Sequence, residues 1–238
     1  MEKLRQLYSG KAKIVYETNN VDEVIIYFKD DATAFNAQKR GTIVNKGVMN
    51  AYMTSKIFGI LEEHEIFTHF ISKLDDREIL VKKVEIIPVE VVVRNLIAGS
   101  LASRLKREEG SRLSMPVREF FLKNDELGDP LISDDFIIAD GIASERELSY
   151  IKEQALRVNY VLSERFKKVG IILVDFKLEF GRFENTILLA DEITPDGCRL
   201  WDEKTHKKLD KDRFRRDLGD VEEAYREVIT RLFPEFPN

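Results

Sequence analysis

The segment Val174-Asp175-Phe176-Lys177-Leu178-Glu179-Phe180-Gly181 carries a carboxylate, an amine and a second carboxylate at alternate positions. A strand turns successive side chains to opposite faces. Asp175, Lys177 and Glu179 are therefore expected on one face, with Val174, Phe176, Leu178 and Phe180 on the other. Carboxylates beside an ammonium suit a hard cation with an anion next to it, and Mg²⁺ takes one or two carboxylates plus substrate oxygens. The same pattern also fits a half-exposed strand with surface charges, so alone it leaves both readings open. A second acidic pair, Asp191-Glu192, precedes Thr194-Pro195-Asp196-Gly197, a turn in which Pro fixes φ and Gly permits positive φ. By itself the pair reads as a strand end. An odd-length connection would set Asp191 opposite Asp175, giving a carboxylate cluster facing a cleft.

Two further segments point to anions. Tyr8-Ser9-Gly10-Lys11-Ala12-Lys13 is a glycine turn whose backbone can approach an anion closely, with Lys11 and Lys13 expected on one strand face. The P-loop spacing is absent; the nearer analogy is the glycine hairpin that covers ATP in kinases. A plain hairpin turn is the competing reading. In Pro88 to Ser100, Glu90, Val92 and Arg94 share a strand face. Arg94 suits carboxylate or phosphate through its planar fork, and Gly99-Ser100 before a helix offers N–H groups and a hydroxyl. The alternative is a core strand with Arg94 paired to Glu90. Arg199, after the Pro-Asp-Gly turn, is placed to hold a substrate anion. Lys123-Asn124-Asp125 is a polar turn, and Lys211 to Arg216 reads as a solvated helix face. His64, His69 and His206 lack zinc-site spacing and read as surface or structural residues. Cys198 has no base near it in sequence.

The elements that must carry these groups follow from hydrophobic periodicity. Strands are expected at Leu4 to Tyr8, Ala12 to Glu17 and Glu23 to Lys29. Met49, Met53, Ile57 and Leu61 recur every four residues and predict a helix over Lys46 to Glu63. Strands return at Ile66 to Ser72, Ile79 to Val84 and Val89 to Ile97, then a helix at Ala98 to Glu109. Ser144 and Glu147 form a capping-box pattern. It opens a helix whose stripe is Leu148, Ile151, Ala155, Val158, Leu162 and Phe166, stopped by Gly170. Strands Ile171 to Phe180 and Ile187 to Glu192 follow. Asp220 and Glu223 form a second capping-box pattern before a last helix to Leu232. The fold class is α+β. A β-rich N-terminal lobe is expected over 1–82 and a mixed α/β lobe over 83–238, with the ligand cleft between them.

The 238 residues are 43% apolar, enough for a sizeable core. The net charge of −5 argues against a nucleic-acid partner. Apolar runs such as Val91 to Val93 and Ile171 to Val174 are far short of a membrane span. One cysteine and no apolar N-terminal core lead to the expectation of a cytoplasmic protein.

Taken together, these residues resemble the SAICAR synthetase family, the phosphoribosylaminoimidazole-succinocarboxamide synthases of purine biosynthesis. Ile86 to Ser100 (IIPVEVVVRNLIAGS) and Leu173 to Gly181 (LVDFKLEFG) carry the match. Leu7 to Lys13, Lys46-Gly47, Lys123-Asn124-Asp125 and Asp191 to Trp201 (DEITPDGCRLW) extend it along essentially the whole chain. At Asn36 some relatives carry Asp, so no role is assigned there.

The resemblance implies a two-lobed SAICAR-synthase-like fold with an ATP cleft. It implies ligation of carboxyaminoimidazole ribonucleotide to L-aspartate with ATP and Mg²⁺, through an acyl phosphate. Gly10, Lys11, Ala12 and Lys13 would meet ATP phosphates, and Val81, Lys82 and Val84 would form the adenine-binding connection. Glu179 and Asp191 would hold Mg²⁺, with Asp175 close by. Glu90, Arg94, Ser100 and Arg199 would bind the ribonucleotide, and Lys177 would lie near the transferred phosphoryl group. The last helix and exposed apolar positions permit a homodimer without requiring one.

Two rivals stand beside this reading. Asp175-Phe176-Lys177 is similar to the D-F-G metal motif of kinases, but no H-R-D-x-x-x-x-N segment exists in the chain. A non-catalytic nucleotide-binding module would have little use for several carboxylates beside bound phosphates.

Overall fold

The computed structural model describes residues 2–34 and 38–237; Asn36 lies outside them. The first strands are β1 (Lys3–Ser9), β2 (Lys13–Thr18) and β3 (Glu23–Phe28), then a short hairpin of β4 (Asp31–Ala34) and β5 (Lys39–Thr42). Helix α1 (Lys46–Glu63) leads to β6 (Phe70–Lys73) and β7 (Glu78–Lys82). These form an antiparallel sheet in the order β1-β2-β3-β7-β6. Val24, Ile26, Phe28, Ile79 and Val81 pack on Ala51 of α1. Met49, Met53, Ile57 and Leu61, the predicted stripe, are all buried, but in the larger core shared with the rest of the chain. The helix is therefore apolar on two sides and ties the first sheet to the second. Each such side chain removed from water contributes about 1.5–3 kcal/mol.

The chain continues through β8 (Glu85–Leu96), α2 (Gly99–Leu105), β9 (Arg112–Leu122), β10 (Leu131–Ile132), α3 (Asp134–Ala139) and α4 (Glu145–Lys167). It ends with β11 (Ile171–Phe183), β12 (Thr186–Ala190), β13 (Cys198–Asp202), α5 (Asp212–Arg215) and α6 (Val221–Leu232). The second sheet runs β10-β9-β8-β11-β12, with β13 also on β11. The stripe of α4 is buried from Leu148 to Phe166, and Ser144 and Glu147 form the reciprocal cap that the sequence predicts.

Several expectations are corrected. The Asp220 side chain makes no cap; its backbone is left-handed at φ 47°, a geometry that turns the side chain away from the amides it would bond. Helix α2 stops at Leu105 because Lys106 takes a left-handed conformation. The strands β9, β13 and the β4–β5 hairpin were not foreseen. In β9 the pattern is irregular (Arg112, Ser114, Arg118 and Glu119 interrupt it), and tertiary pairing with β8 overrides weak local preference.

Strand β11 is the axis of the second sheet. It pairs with β8 along one side. Along the other side β13 covers Ile171 to Phe176 and β12 covers Glu179 to Phe183. Between them, the Lys177 N–H donates instead to the Gly197 carbonyl, 2.9 Å away, in the loop joining β12 to β13. A register shift between Leu173 and Asp175 inserts Val174 as a bulge. Leu173 thus joins Phe176, Leu178 and Phe180 in the main core, whereas Val174 packs on Ala98 and Trp201. The predicted apolar face holds from Phe176 onward.

Candidate active site

The break in the pairing of β11 brings the charged face of the strand to a cleft of about 390 Å³. Arg94, Ser100, Asp175, Lys177, Asp196 and Arg199 are among its walls. Asp175 lies opposite Arg94 of β8 and Arg199 of β13. Arg94 Nη1 donates to Asp175 Oδ2 at 2.7 Å, and Arg199 Nη1 donates to the same carboxylate at 2.9 and 3.0 Å. Arg94 also donates to Glu119 (2.5 Å) and to the Ser100 hydroxyl (3.0 Å). It is therefore not paired with Glu90, the alternative left by the sequence. Burial opposes the charge of Arg199, but Asp175 and Asp212 outweigh it and raise the pKa. Gly99 sits at φ +52°, and a Cβ there would lie 2.3 Å from Arg199 Nη2, so only glycine lets that guanidinium lie against the turn.

Lys177 stands among carboxylates. Its Nζ is 2.5 Å from Glu179 Oε1, 3.1 Å from Asp191 Oδ2 and 3.4 Å from Glu90. Burial works against this ammonium, but Asp191, Glu179 and Glu90 prevail and hold its pKa well above the ordinary value. Lys123 donates to the other Glu179 oxygen at 2.5 Å. Glu90 and Glu179 are directly opposed across β8 and β11, an arrangement of like charges that would be destabilising alone; the two lysines offset it. Burial raises the Glu90 pKa, with Lys177 pulling the other way.

Asp191 does not face Asp175. Ala190 pairs with Glu179, so the strand delivers Asp191 to Lys177 and Glu179, two side-chain positions further along β11. Its backbone is left-handed (φ 63°), a costly conformation for a non-glycine residue, and its carboxylate is bonded by Lys13 and Lys177. Burial opposes its ionisation, yet Lys13 and Lys177 hold it far below the usual carboxylate range.

The expected pairing of Lys11 and Lys13 on one face is corrected. Lys11 lies in the turn before β2 and reaches across to Asp125 at 2.7 Å. Lys13 lies in β2 and points to Asp191 and Glu192. The turn itself is a hairpin in which the Gly10 N–H donates to the Lys13 carbonyl at 2.8 Å. Ala12 accepts from Lys29 at 2.8 Å. Val81 is buried beneath α1. Lys82 N–H donates to the His69 carbonyl, and Val84 packs so closely that a Cβ at Gly181 would lie 2.4 Å from it.

Glu179 and Asp191 are thus two oxygen donors converging on one ammonium. Among the described residues no group of three His, Cys, Asp or Glu is arranged to hold a metal. A divalent cation would have to draw its other oxygens from phosphate and water, as Mg²⁺ habitually does, so the donor chemistry fits.

Sequence reading missed Glu119, Asp196, Lys211 and Arg215. The charge run Lys211 to Arg216 is not a solvated face: Asp212 is 1% and Arg213 7% exposed, and Lys211 and Arg215 line the cleft. The run holds a single acid, Asp212, among four bases, and that excess of cations was the only local signal. His69 is buried, and burial pushes its pKa down to about 4; burial likewise raises the Cys198 thiol.

The model of the SAICAR synthetase family matches residues 6–232. A phosphoribosylaminoimidazole-succinocarboxamide synthase of Clostridium botulinum (strain Alaska E43 / Type E3) is 57% identical over 233 residues, 98% of this chain and 99% of its own. The crystal structure of the Ehrlichia chaffeensis synthase superposes with a TM-score of 0.96 at 50% identity, covering 98% of this chain and 100% of that one. A SAICAR synthetase in complex with ADP superposes at 0.94 with 49% identity, covering 97% and 99%. No helix among the described residues is long and apolar enough to cross a membrane.

Proposed function

The chain belongs to the SAICAR synthetase family of ATP-dependent ligases, which condense carboxyaminoimidazole ribonucleotide with L-aspartate in purine biosynthesis, and from that premise we propose how its residues divide the work. A carboxylate resists attack by an amine because its charge and resonance repel a nucleophile. Transfer of the ATP γ-phosphoryl group to a carboxylate oxygen, with ADP leaving, removes that charge. The aspartate nitrogen then attacks the acyl carbon, loses its proton, and phosphate departs. Such transfer needs positioning and charge neutralisation rather than a protein nucleophile.

In this reading Gly10, Lys11, Ala12 and Lys13 bound the phosphate end of ATP, and Val81, Lys82 and Val84 the adenine end. The same connection is the boundary we assign between lobes 1–82 and 83–238. Arg94, Ser100 and Arg199 hold the ribonucleotide, with Asp175 orienting both guanidinium groups and Glu90 beside them. Lys177 is placed between the two ends, where a phosphoryl group must pass. Glu179 and Asp191 would hold Mg²⁺, which when bound offsets phosphate charge. We assign the protein to the cytoplasm, a reducing setting that suits its buried thiol.

The observation that carries this reading is that one ammonium, Lys177, bonds Glu179 and Asp191 while lining the cleft that Arg94 and Arg199 close. The test is ADP release with each substrate omitted in turn. Multiple-turnover release is expected only when ATP, ribonucleotide and L-aspartate are all present, with at most one ADP per enzyme when L-aspartate is left out. Glu179→Gln and Asp191→Asn should each lower turnover about 100-fold or more with circular dichroism unchanged. Near-normal turnover of both at subsaturating Mg²⁺ would reject the metal assignment.

A further inference from the structure

His69 is a buried imidazole to which the division of labour above gives no task. It is 3% exposed, and its Nε2 has no hydrogen-bond partner. The Phe58 ring of α1 packs edge-on against it, with centroids 5.6 Å apart. An unpaired buried nitrogen is costly, so an apolar ring would be favoured there unless the imidazole makes a bond elsewhere. Its main chain joins two parts of the molecule. The His69 carbonyl accepts from the Lys82 N–H at 2.7 Å, and the His69 N–H donates to the Leu189 carbonyl at 2.8 Å. The Leu189 N–H donates to the Phe67 carbonyl at 3.0 Å, making a parallel bridge between Thr68 and Leu189. Residues 67–69 are therefore a strut between the end of β7 and β12. The Thr68 hydroxyl ties the strut to α1 by donating to Glu62 Oε1 at 2.6 Å.

Asp191 is where the ring is used. Strand β12 ends at Ala190, so Asp191 lies beyond the ladder to β11. It nevertheless holds a left-handed φ of 63°, which a non-glycine residue keeps only where its surroundings over-determine it. Lys13 and Lys177 hold the carboxylate, and the His69 ring bonds the main chain. That bond favours the protonated ring, the sign given by an imidazole that donates, so the Asp191 carbonyl is the acceptor. With Nε2 unpartnered, the donor is Nδ1. Burial keeps the ring neutral, and its one proton sits on the nitrogen that has an acceptor.

We propose that His69 is a positioning residue for the phosphoryl transfer: its ring fixes the main chain of Asp191 so that the carboxylate stands against Lys177, and the strut ties that geometry to Lys82. The inference rests on the roles given above to Lys82 and Asp191. One residue then bonds the connection assigned to the adenine end of ATP and the carboxylate assigned to its phosphate end. A side chain that orients a ligating carboxylate acts on turnover and on cation affinity without touching substrate.

The test compares His69→Phe, which keeps a ring and removes the bond, with His69→Asn, whose amide N–H takes the place of Nδ1–H. Steady-state kinetics are measured beside Mn²⁺ affinity in the presence of ADP, read by electron paramagnetic resonance without turnover. His69→Phe should lower kcat and weaken Mn²⁺ binding about ten-fold or more, with KM for the ribonucleotide and L-aspartate changed less than about two-fold. His69→Asn should recover most of both losses. Unchanged kcat or Mn²⁺ affinity in His69→Phe, or no recovery in His69→Asn, overturns the proposal. Nitrogen-15 NMR of the unaltered protein at pH 7 keeps it falsifiable if a variant does not fold: the Nδ1–H tautomer is expected, and an Nε2–H tautomer overturns it. Asp191→Asn serves as the control. If it weakens Mn²⁺ binding and His69→Phe does not, the role of His69 alone fails; if neither does, the metal assignment falls and this inference with it.

Discussion

Replacing Lys46 by Met removes a fully buried ammonium and leaves behind its partner Asp196, which also borders the cleft. Asp196 would keep Asn50 and Tyr225, but its charge would face only Lys211 at 3.5 Å. Breaking a buried pair from one side costs about 3–5 kcal/mol, because the surviving charge is uncompensated. For a chain of this size that corresponds to a fall in Tm of roughly 10 °C. Removing both charges is a different perturbation, since exchanging a whole buried pair for neutral groups is often close to neutral. Lys46→Met/Asp196→Asn should therefore recover most of the lost stability, with a coupling of about 2 kcal/mol or more in the double-mutant cycle. Urea unfolding at pH 7 of the four proteins measures it. A loss under about 1 kcal/mol in the single variant, or additive effects in the cycle, would refute the reasoning.

Other expectations follow from particular contacts. Arg94→Ala strips a buried guanidinium from Asp175, Glu119 and Ser100. It should raise the ribonucleotide KM about ten-fold or more with little change for ATP; an unchanged ribonucleotide KM would remove Arg94 from that site. Asp210 is buried beside Asp212, and burial lifts its pKa from 3.8 to about 7. An acid raised on folding contributes stability that is present below pH 3.8 and lost as pH rises through 7. Relative to the unaltered protein, Asp210→Asn should thus gain up to about 4 kcal/mol between pH 4 and pH 8, read from urea midpoints; a pH-independent difference would contradict the shift. Ser144→Ala should lower stability by about 1 kcal/mol through loss of the α4 cap, seen as a Tm drop of about 2–4 °C.

Where local chemistry suffices, the sequence predicts the structure closely. The stripes of α1 and α4, the Ser144 cap and the run Asp175-Lys177-Glu179 are each fixed by spacing along one element, and all are found. The cap at Asp220 fails although its spacing is right, because backbone dihedrals set by the preceding turn decide whether the side chain reaches the amides. The hairpin β4–β5 and strand β9 have weak patterns and exist through their partners.

The residue types therefore determined an acidic, lysine-bearing strand, an arginine strand and a glycine hairpin, a set suited to a cation beside anions; phosphoryl transfer to a carboxylate came only with the resemblance to a family. Spacing could not say which acid meets which base. That was decided where β13 leaves β11 and β12 begins, sending Asp175 to the arginines and Asp191 to Lys177. Nor could spacing reveal that Lys46 and Asp196, 150 positions apart, share one buried hydrogen bond. Charge pairing across such distances depends on long-range register and burial, and neither is written in any local stretch of the chain.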